Sequence, residues 1–223
     1  LFDHDDLLSE NALYEVADRI CKTGAEIVYT DEDKVSMDGQ HYFDPHFKSD
    51  FNLFRFRDNN YICHIFAVKR QVAEQAGYFR KEFDGAQDFD FIFRCCEKAE
   101  KIIHIPRVLY HWRCHMDSTA ADPESKAYAF EAGRKAVEEH YKRMGIPAKV
   151  EMTERPGWYR SRLEIQGTPM ISVIIPNKDH TEDLELCLSS MAERTSYENY
   201  EVLIVENNSE EKETFAYYEK IHE

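Results

Sequence analysis

Apolar residues recur along this chain with two periods, and the switches between them mark out its elements. Leu13, Val16, Ala17, Ile20 and Cys21 stand at helical spacing, and Gly24 is placed to end that helix as a left-handed cap. Ahead of it, Leu1-Phe2 reads as the end of a buried strand and Ser9 as the helix N-cap. A strand is predicted from Ala25 to Thr30, running into the charged segment Asp31-Glu32-Asp33-Lys34, read as a solvated turn or a functional strand end. Met37-Asp38-Gly39-Gln40 marks a hairpin or loop, and residues 42–60, aromatic and polar without a period, read as irregular. A second strand, Tyr61 to Val68, leads to a short helix ended by Gly77. Then comes a helix from Asp88 to Ala99 with Phe89, Ile92, Phe93 and Cys96 on its apolar side, and a third strand from Ile102 to Trp112. Asp122-Pro123 opens a long helix, Asp as N-cap and Pro at the first helical position, that Gly145 ends.

Residues 148–167 alternate around Arg155-Pro156-Gly157-Trp158 and read as an extended, hairpin-like linker. After Pro169 the texture changes. Ile171-Ser172-Val173-Ile174-Ile175 and Val202-Leu203-Ile204-Val205 are short apolar runs of the kind found in buried parallel strands. Between them Leu184, Cys187, Leu188 and Met191 give the inner face of a helix, so the segment is a β-α-β unit, followed by Asn207-Asn208-Ser209 and a further helix. The fold class is α/β. The chain opens inside an apparent strand without Met and stops inside a helical pattern at Ile221-His222-Glu223, which reads as a piece of a longer protein.

Composition narrows the function. With 223 residues, 43% hydrophobic and 13% aromatic, the chain can bury one large or two small cores. A net charge of −15 argues against nucleic acid or an anionic lipid surface as a partner. No run approaches the roughly 18 apolar residues of a membrane span. The six cysteines, among them Cys21, Cys95, Cys96 and Cys187 in helical patterns, show no framework spacing and read as small buried hydrophobes in a reducing compartment.

The candidate chemistry begins at Asp3-His4-Asp5-Asp6. Carboxylates this close repel one another, and a divalent cation is the simplest way to keep them ionised; an Asp-rich helix start favoured by the macrodipole is the plainer account. Gln87-Asp88 opens a helix, where Asp88 is either a cap or, partly buried between Phe83 and Phe89, a carboxylate tuned toward base chemistry. His111, with Cys114 and His115 nearby, fits no standard zinc spacing. Arg113 and Ser118-Thr119 are placed either to reach diphosphate oxygens or to solvate a loop. There is no Gly-x-Gly-x-x-Gly and no Walker A pattern, which removes dinucleotide and P-loop readings.

In order and spacing these segments resemble the nucleotide-sugar glycosyltransferases of the GT-A fold, family 2, of the tandem-domain type. The resemblance implies a Rossmann-like, partial mixed sheet flanked by helices. Residues 1–121 would be the C-terminal half of one domain, 122–147 a connecting helix, 148–168 a linker and 169–223 the first β-α-β of a second domain. Asp3-His4-Asp5 matches the family's Asp-x-Asp element, so Asp5 would ligate Mg²⁺ or Mn²⁺, with Asp3 supporting the metal or contacting the ribose. Asp33 would orient the sugar or those carboxylates, His111 would be a further metal ligand and Asp88 would be the catalytic base. The stretch 42–60, with Asn59 and Asn60, would line the acceptor side. In the second piece Pro176, Asn177 and Asp179 would hold the nucleotide base, with Glu206 and Asn208 after the next strand; Glu206 departs from the family's Asp.

The implied reaction transfers a sugar from a nucleoside-diphosphate-sugar donor to a saccharide acceptor, with inversion, in cell-surface polysaccharide synthesis. One base and no evident covalent nucleophile point to single displacement. The parent protein would act on the cytoplasmic side, at the membrane. The first piece lacks nucleotide-binding strands and the second lacks metal and base elements, so the chain alone is expected to be weakly active or inactive, with exposed sheet edges favouring homo-oligomers. The alternatives are a non-catalytic nucleotide-sugar or carbohydrate-binding module and a metal-dependent phosphohydrolase.

Overall fold

Ile27, Val28 and Tyr29 are consecutive and all fully buried, so both faces of their strand lie in a core. In the computed structural model, which describes residues 1–114 and 127–221, this strand organises the first of two units, Leu1–Glu164. It is the long β2 (Ile27–Val35). On one side β2 pairs in parallel with β5 (Ile102–Arg113). Its other side is shared: β4 (Phe66–Val68) runs antiparallel along the first half and β3 (Tyr42–His46) along the second. The two-residue β1 (Leu7–Leu8) closes the far edge against His111 and Tyr110. The result is a mixed sheet flanked by helices, an α/β arrangement of Rossmann-like type. The β2–β5 register shifts after Thr30, where Pro106 and Arg107 are looped out, as suits a proline that cannot donate to the ladder.

Helix α1 (Ala12–Thr23) covers one face, over Val28, Ile105, Leu109 and Tyr110. The other face packs Ile27 and Tyr29 against α2 (Leu53–Asp58), α3 (Arg70–Ala76), α4 (Gln87–Cys96) and α5 (Ala127–Arg143). The hairpin of β6 (Ala148–Met152) and β7 (Tyr159–Leu163) joins that same core through Val150 and Tyr159. Glycines with positive φ end the expected helices at Gly24, Gly77 and Gly145.

Several local expectations are corrected. Leu1-Phe2 is not strand, and the cap of α1 is Asn11 rather than Ser9, because the Ser9 hydroxyl is used on β5. Asp31 to Lys34 is strand, not turn. Residues 42–60 contain β3 and α2, and of Tyr61 to Val68 only Phe66–Val68 is strand. Cys21 and Cys187 are exposed, whereas Cys95 is buried. The expected start of the long helix at Asp122-Pro123, and His115 and Ser118-Thr119, lie outside the described residues.

The second unit, Ile165–Glu223, is a β-α-β-α segment: parallel β8 (Ile171–Asn177) and β9 (Tyr200–Glu206), with α6 (Thr181–Arg194) between them and α7 (Lys212–Ile221) after. Its strands are largely exposed rather than buried, Ile171, Ile174, Leu203 and Val205 included, because two strands and two helices leave much of the ribbon uncovered.

Candidate functional site

The carboxyl ends of β2 and β5 lie side by side, which is where ligands gather in open α/β sheets. The parallel register sets Asp33 opposite His111. Asp33 Oδ1 lies 2.5 Å from His111 Nδ1, while His111 Nε2 lies 3.0 Å from the Ser9 hydroxyl, so both ring nitrogens are engaged. One residue pair earlier, Glu32 receives Lys48 Nζ at 3.0 Å and His46 Nδ1 at 3.2 Å. Burial opposes its ionisation, but His46 and Lys48 outweigh it and hold the Glu32 carboxyl below the ordinary range. Lys48 also donates to the carbonyls of Ile62 (2.6 Å) and His64 (2.5 Å), which fixes the segment after α2.

Arg113 closes the acidic turn at the start of the chain. Its Nε donates to the Asp5 carbonyl and one terminal nitrogen to that of Met37, each at 2.7 Å, so the guanidinium binds backbone oxygens. The Asp6 carboxylate, buried, accepts from the Tyr110 hydroxyl and, at 2.7 Å, from the Arg113 amide. Asp3 and Asp5 point more to solvent, their side chains 61% and 37% exposed. Among the described residues no group of three or more His, Cys, Asp or Glu side chains is arranged to hold a metal ion. Asp3 and Asp5 therefore supply two hard oxygen donors near one another in sequence, and His111 is committed elsewhere.

The first turn of α4 carries two carboxylates with opposite surroundings. Asp90 is fully buried and neutralised by two arginines: Arg80 donates at 3.1 and 2.5 Å, Arg94 at 3.0 and 2.7 Å. Asp88 forms no ion pair with a basic side chain among the described residues; the Asn60 amide donates to it at 2.7 Å. Burial pushes the Asp88 carboxyl up from its ordinary value, only partly offset by the Phe89 amide, the nearby His64 and Asn60. The two carboxylates are thus set apart by environment, Asp90 paired with arginines and Asp88 held by an amide. Asp88 lines a cavity of about 190 Å³ with Asn60, Phe89, Phe130 and Tyr159.

His64, which the sequence reading passed over, connects the two acidic groups. Its ring stacks on Tyr110 (centroids 4.7 Å apart, 17° between planes), and Nε2 lies 3.6 Å from Asp3 Oδ2. Nδ1 is buried without a hydrogen-bond partner among the described residues. Asp3 on one side and Asp88 on the other thus share one neighbour, whereas Asp33 pairs with His111 and Arg113 holds the Asp5 backbone carbonyl. A histidine closing the apolar run Tyr61-Ile62-Cys63 was the available signal; its placement depends on Lys48, which no local pattern foretells.

In the second unit the candidate residues meet at the carboxyl ends of β8 and β9. Pro176 lies opposite Val205 and Asn177 opposite Glu206. Asn177 donates to the Asp179 carbonyl (2.9 Å) and to the Tyr218 hydroxyl (2.7 Å). Asp179 Oδ1 accepts from the amides of Glu210 (2.9 Å) and Glu211 (3.0 Å), capping the approach to α7; the Glu211 amide in particular holds its carboxyl low. Glu206 accepts from the Ser209 amide, which keeps its carboxyl low too, and Asn208 takes a left-handed conformation between them. These carboxylates organise the two loops.

No family model matches the chain. Over 225 residues, 99% of this chain, it is 41% identical to the uncharacterized protein y4gI of Sinorhizobium fredii, of which it spans 25%. The O-antigen biosynthesis protein RfbC of Myxococcus xanthus is 37% identical over 217 residues, 97% of this chain and 17% of that protein. The chain thus spans a quarter or less of the curated relatives it matches, and the likeness runs through both units. No helix among the described residues is long and apolar enough to cross a membrane.

Proposed function

We propose that this chain is part of a tandem family 2 glycosyltransferase of the GT-A fold, acting in cell-surface polysaccharide synthesis. The observation that carries this reading is Asp88: a carboxyl raised by burial, with no arginine or lysine partner among the described residues, lining a cavity with Asn60, Phe89, Phe130 and Tyr159. The name of the Myxococcus relative supports the polysaccharide role. Asp88 takes the proton of an acceptor hydroxyl as its oxygen attacks the anomeric carbon of the donor sugar. The bond to the nucleoside diphosphate breaks on the opposite face, so configuration inverts. A raised proton affinity suits a base at neutral pH, and such a group contributes about 10²–10⁴-fold.

Asp3 and Asp5 would hold Mg²⁺ or Mn²⁺, since such ions are commonly bound by one or two carboxylates with substrate phosphates completing the shell. The ion would supply positive charge to the departing diphosphate. His111, engaged at both nitrogens, instead fixes Asp33 and Ser9, and Arg113 shapes the acidic turn. Pro176, Asn177, Asp179, Glu206 and Asn208 would form the donor-nucleotide end of a second domain, at the strand ends where such ligands sit. The parent protein works at the cytoplasmic face of the membrane in this reading.

The test is nucleoside-diphosphate release and saccharide extension by the full-length parent and its Asp88→Asn variant. A loss of at least about 100-fold with donor binding retained is expected. Equal rates would remove Asp88 as base and the assignment with it.

A further inference from the structure

Asp88 is gripped from outside its own helix. Asn60 Nδ2 donates to Asp88 Oδ2 at 2.7 Å, and Asn60 Oδ1 accepts the Cys63 amide at 3.3 Å. The Cys63 contact fixes which way the side-chain amide faces. Reversed, it would set its oxygen against the carboxylate and its NH₂ group against an N–H. The segment that carries Asn60 is itself pinned to β2. Lys48, its side chain wholly out of solvent, reaches the Glu32 carboxylate at 3.0 Å and the carbonyls of Ile62 and His64 at 2.6 and 2.5 Å. The His64 amide donates to Glu32 at 3.3 Å. The Asn60 amide therefore meets Asp88 from a fixed support.

A hydrogen bond to an ionised oxygen is roughly twice as strong as one between neutral groups. The Asn60 contact thus favours the carboxylate, against the burial that opposes it. A proton added to Oδ2 would weaken this bond, whereas one added to Oδ1 leaves Oδ2 a carbonyl-type acceptor for the amide. The titratable groups facing Asp88 are His64 and Cys63, from the same segment, and Tyr159 from the hairpin. Burial pushes the Cys63 thiol well up and the Tyr159 hydroxyl to about 12, so neither supplies charge near neutral pH.

We propose that Asn60 is the positioning residue of Asp88: it holds Oδ2 and leaves Oδ1 to take the acceptor proton. This rests on the reading of Asp88 as the base. In the step, the acceptor O–H bond breaks and Oδ1–H forms. The electron pair left on the acceptor oxygen bonds the anomeric carbon, and the departing nucleoside diphosphate keeps the electrons of the broken bond.

Two measurements test this role. In the native chain, NMR should show the Asn60 side-chain amide protons shifting with pH in step with the Asp88 carboxyl carbon; independent titration overturns the proposal whether or not any variant folds. In the full-length parent, Asn60→Asp keeps an acceptor for the Cys63 amide and loses the donor, while Asn60→Ala loses both. Each is expected to move the acid limb of the kcat/KM profile up by roughly one to two pH units, the worth of a hydrogen bond to a charged group, with donor KM little changed. The shift should persist in a His64→Gln background. A rate loss equal at every pH would mark a merely structural role and overturn the proposal. Transfer that needs Asp88 yet keeps its acid limb in both Asn60 variants overturns the Asn60 role alone. Full transfer by Asp88→Asn removes the base reading, and this role with it.

Discussion

Asp88 and Asp90 are two residues apart on one helix and do opposite work. Asp90 binds Arg80 and Arg94 and so ties α4 to the segment after α3. Asp88 is raised by burial, and the sign of its effect on stability follows. Above about pH 4, where an unfolded Asp has lost its proton, the folded chain keeps it longer. Stability therefore falls as pH rises until Asp88 ionises in the folded state, and the deficit persists above that. Asp88→Asn is expected to raise the thermal midpoint at neutral pH and to flatten this part of the pH profile, read by calorimetry from pH 4 to 8. Asp90→Asn should lower the thermal midpoint and cost about 3–5 kcal/mol, since it leaves two guanidinium groups without their carboxylate. The sequence exposed Asp88 through its place at a helix start. It did not expose the contrast with Asp90, because one of the two arginines comes from outside the helix. Nor did it single out Asp6, whose burial depends on Tyr110 and Arg113 more than a hundred residues away.

Elements closed by a glycine or run at clear helical period were legible: α1, α3 and α5 end where Gly24, Gly77 and Gly145 permit. Those overlooked, β3 and α2, are short and lie in a run of aromatics, where Phe51, Phe56 and Tyr61 turn toward the core but Tyr42, Phe43, Phe47 and Phe54 toward solvent. No single period describes such a run. The charged half of β2 looked like a turn because its carboxylates are matched by Lys48, His104 and His111 from other segments. Gly133 is the single glycine of α5, and Tyr159 closely approaches the helix backbone there. Gly→Ala in a helix usually stabilises by up to about 1 kcal/mol, but here a Cβ collides with Tyr159. Gly133→Ala is expected to destabilise by about 1–3 kcal/mol, and Tyr159→Phe in that background to recover part of the loss, as urea titration would show. Helix α5 is also held through charge. Arg57 Nε donates to His140 Nε2 at 3.1 Å, and His140 Nδ1 faces Glu97 at 2.7 Å, with Arg143 on the same carboxylate. Burial opposes the charge on Glu97, yet His140 and Arg143 prevail and hold its carboxyl low. A depressed carboxylate stabilises the fold above its unfolded value, about 4.3, and the contribution is lost as pH falls through the lower folded value. Melting followed between pH 6 and 3 should show an acid loss that is reduced in Glu97→Gln, a variant already weaker at neutral pH.

At the scale of the molecule the two units differ in how much they bury. The first has cores on both sheet faces; in the second, Leu184 and Thr214 are the buried residues among those described. Local stability follows burial, so hydrogen exchange should show β8 and β9 losing protection faster than β2 and β5; equal protection would mean that the ribbon is covered in solution. The α/β class and the order of elements were readable from alternating periods. The extent of the first core was not, because the hairpin that read as a linker contributes Val150 and Tyr159 to it. The contrast between the paired Asp90 and the amide-held Asp88 within α4 has an evolutionary consequence. On the proposed reading of Asp88 as base, a lineage that exchanged position 88 for an amide would forfeit turnover and become more robust in the same step. Selection for durability alone would then drift this scaffold toward silent lectin-like descendants, unless the glycan proposed as its product is needed.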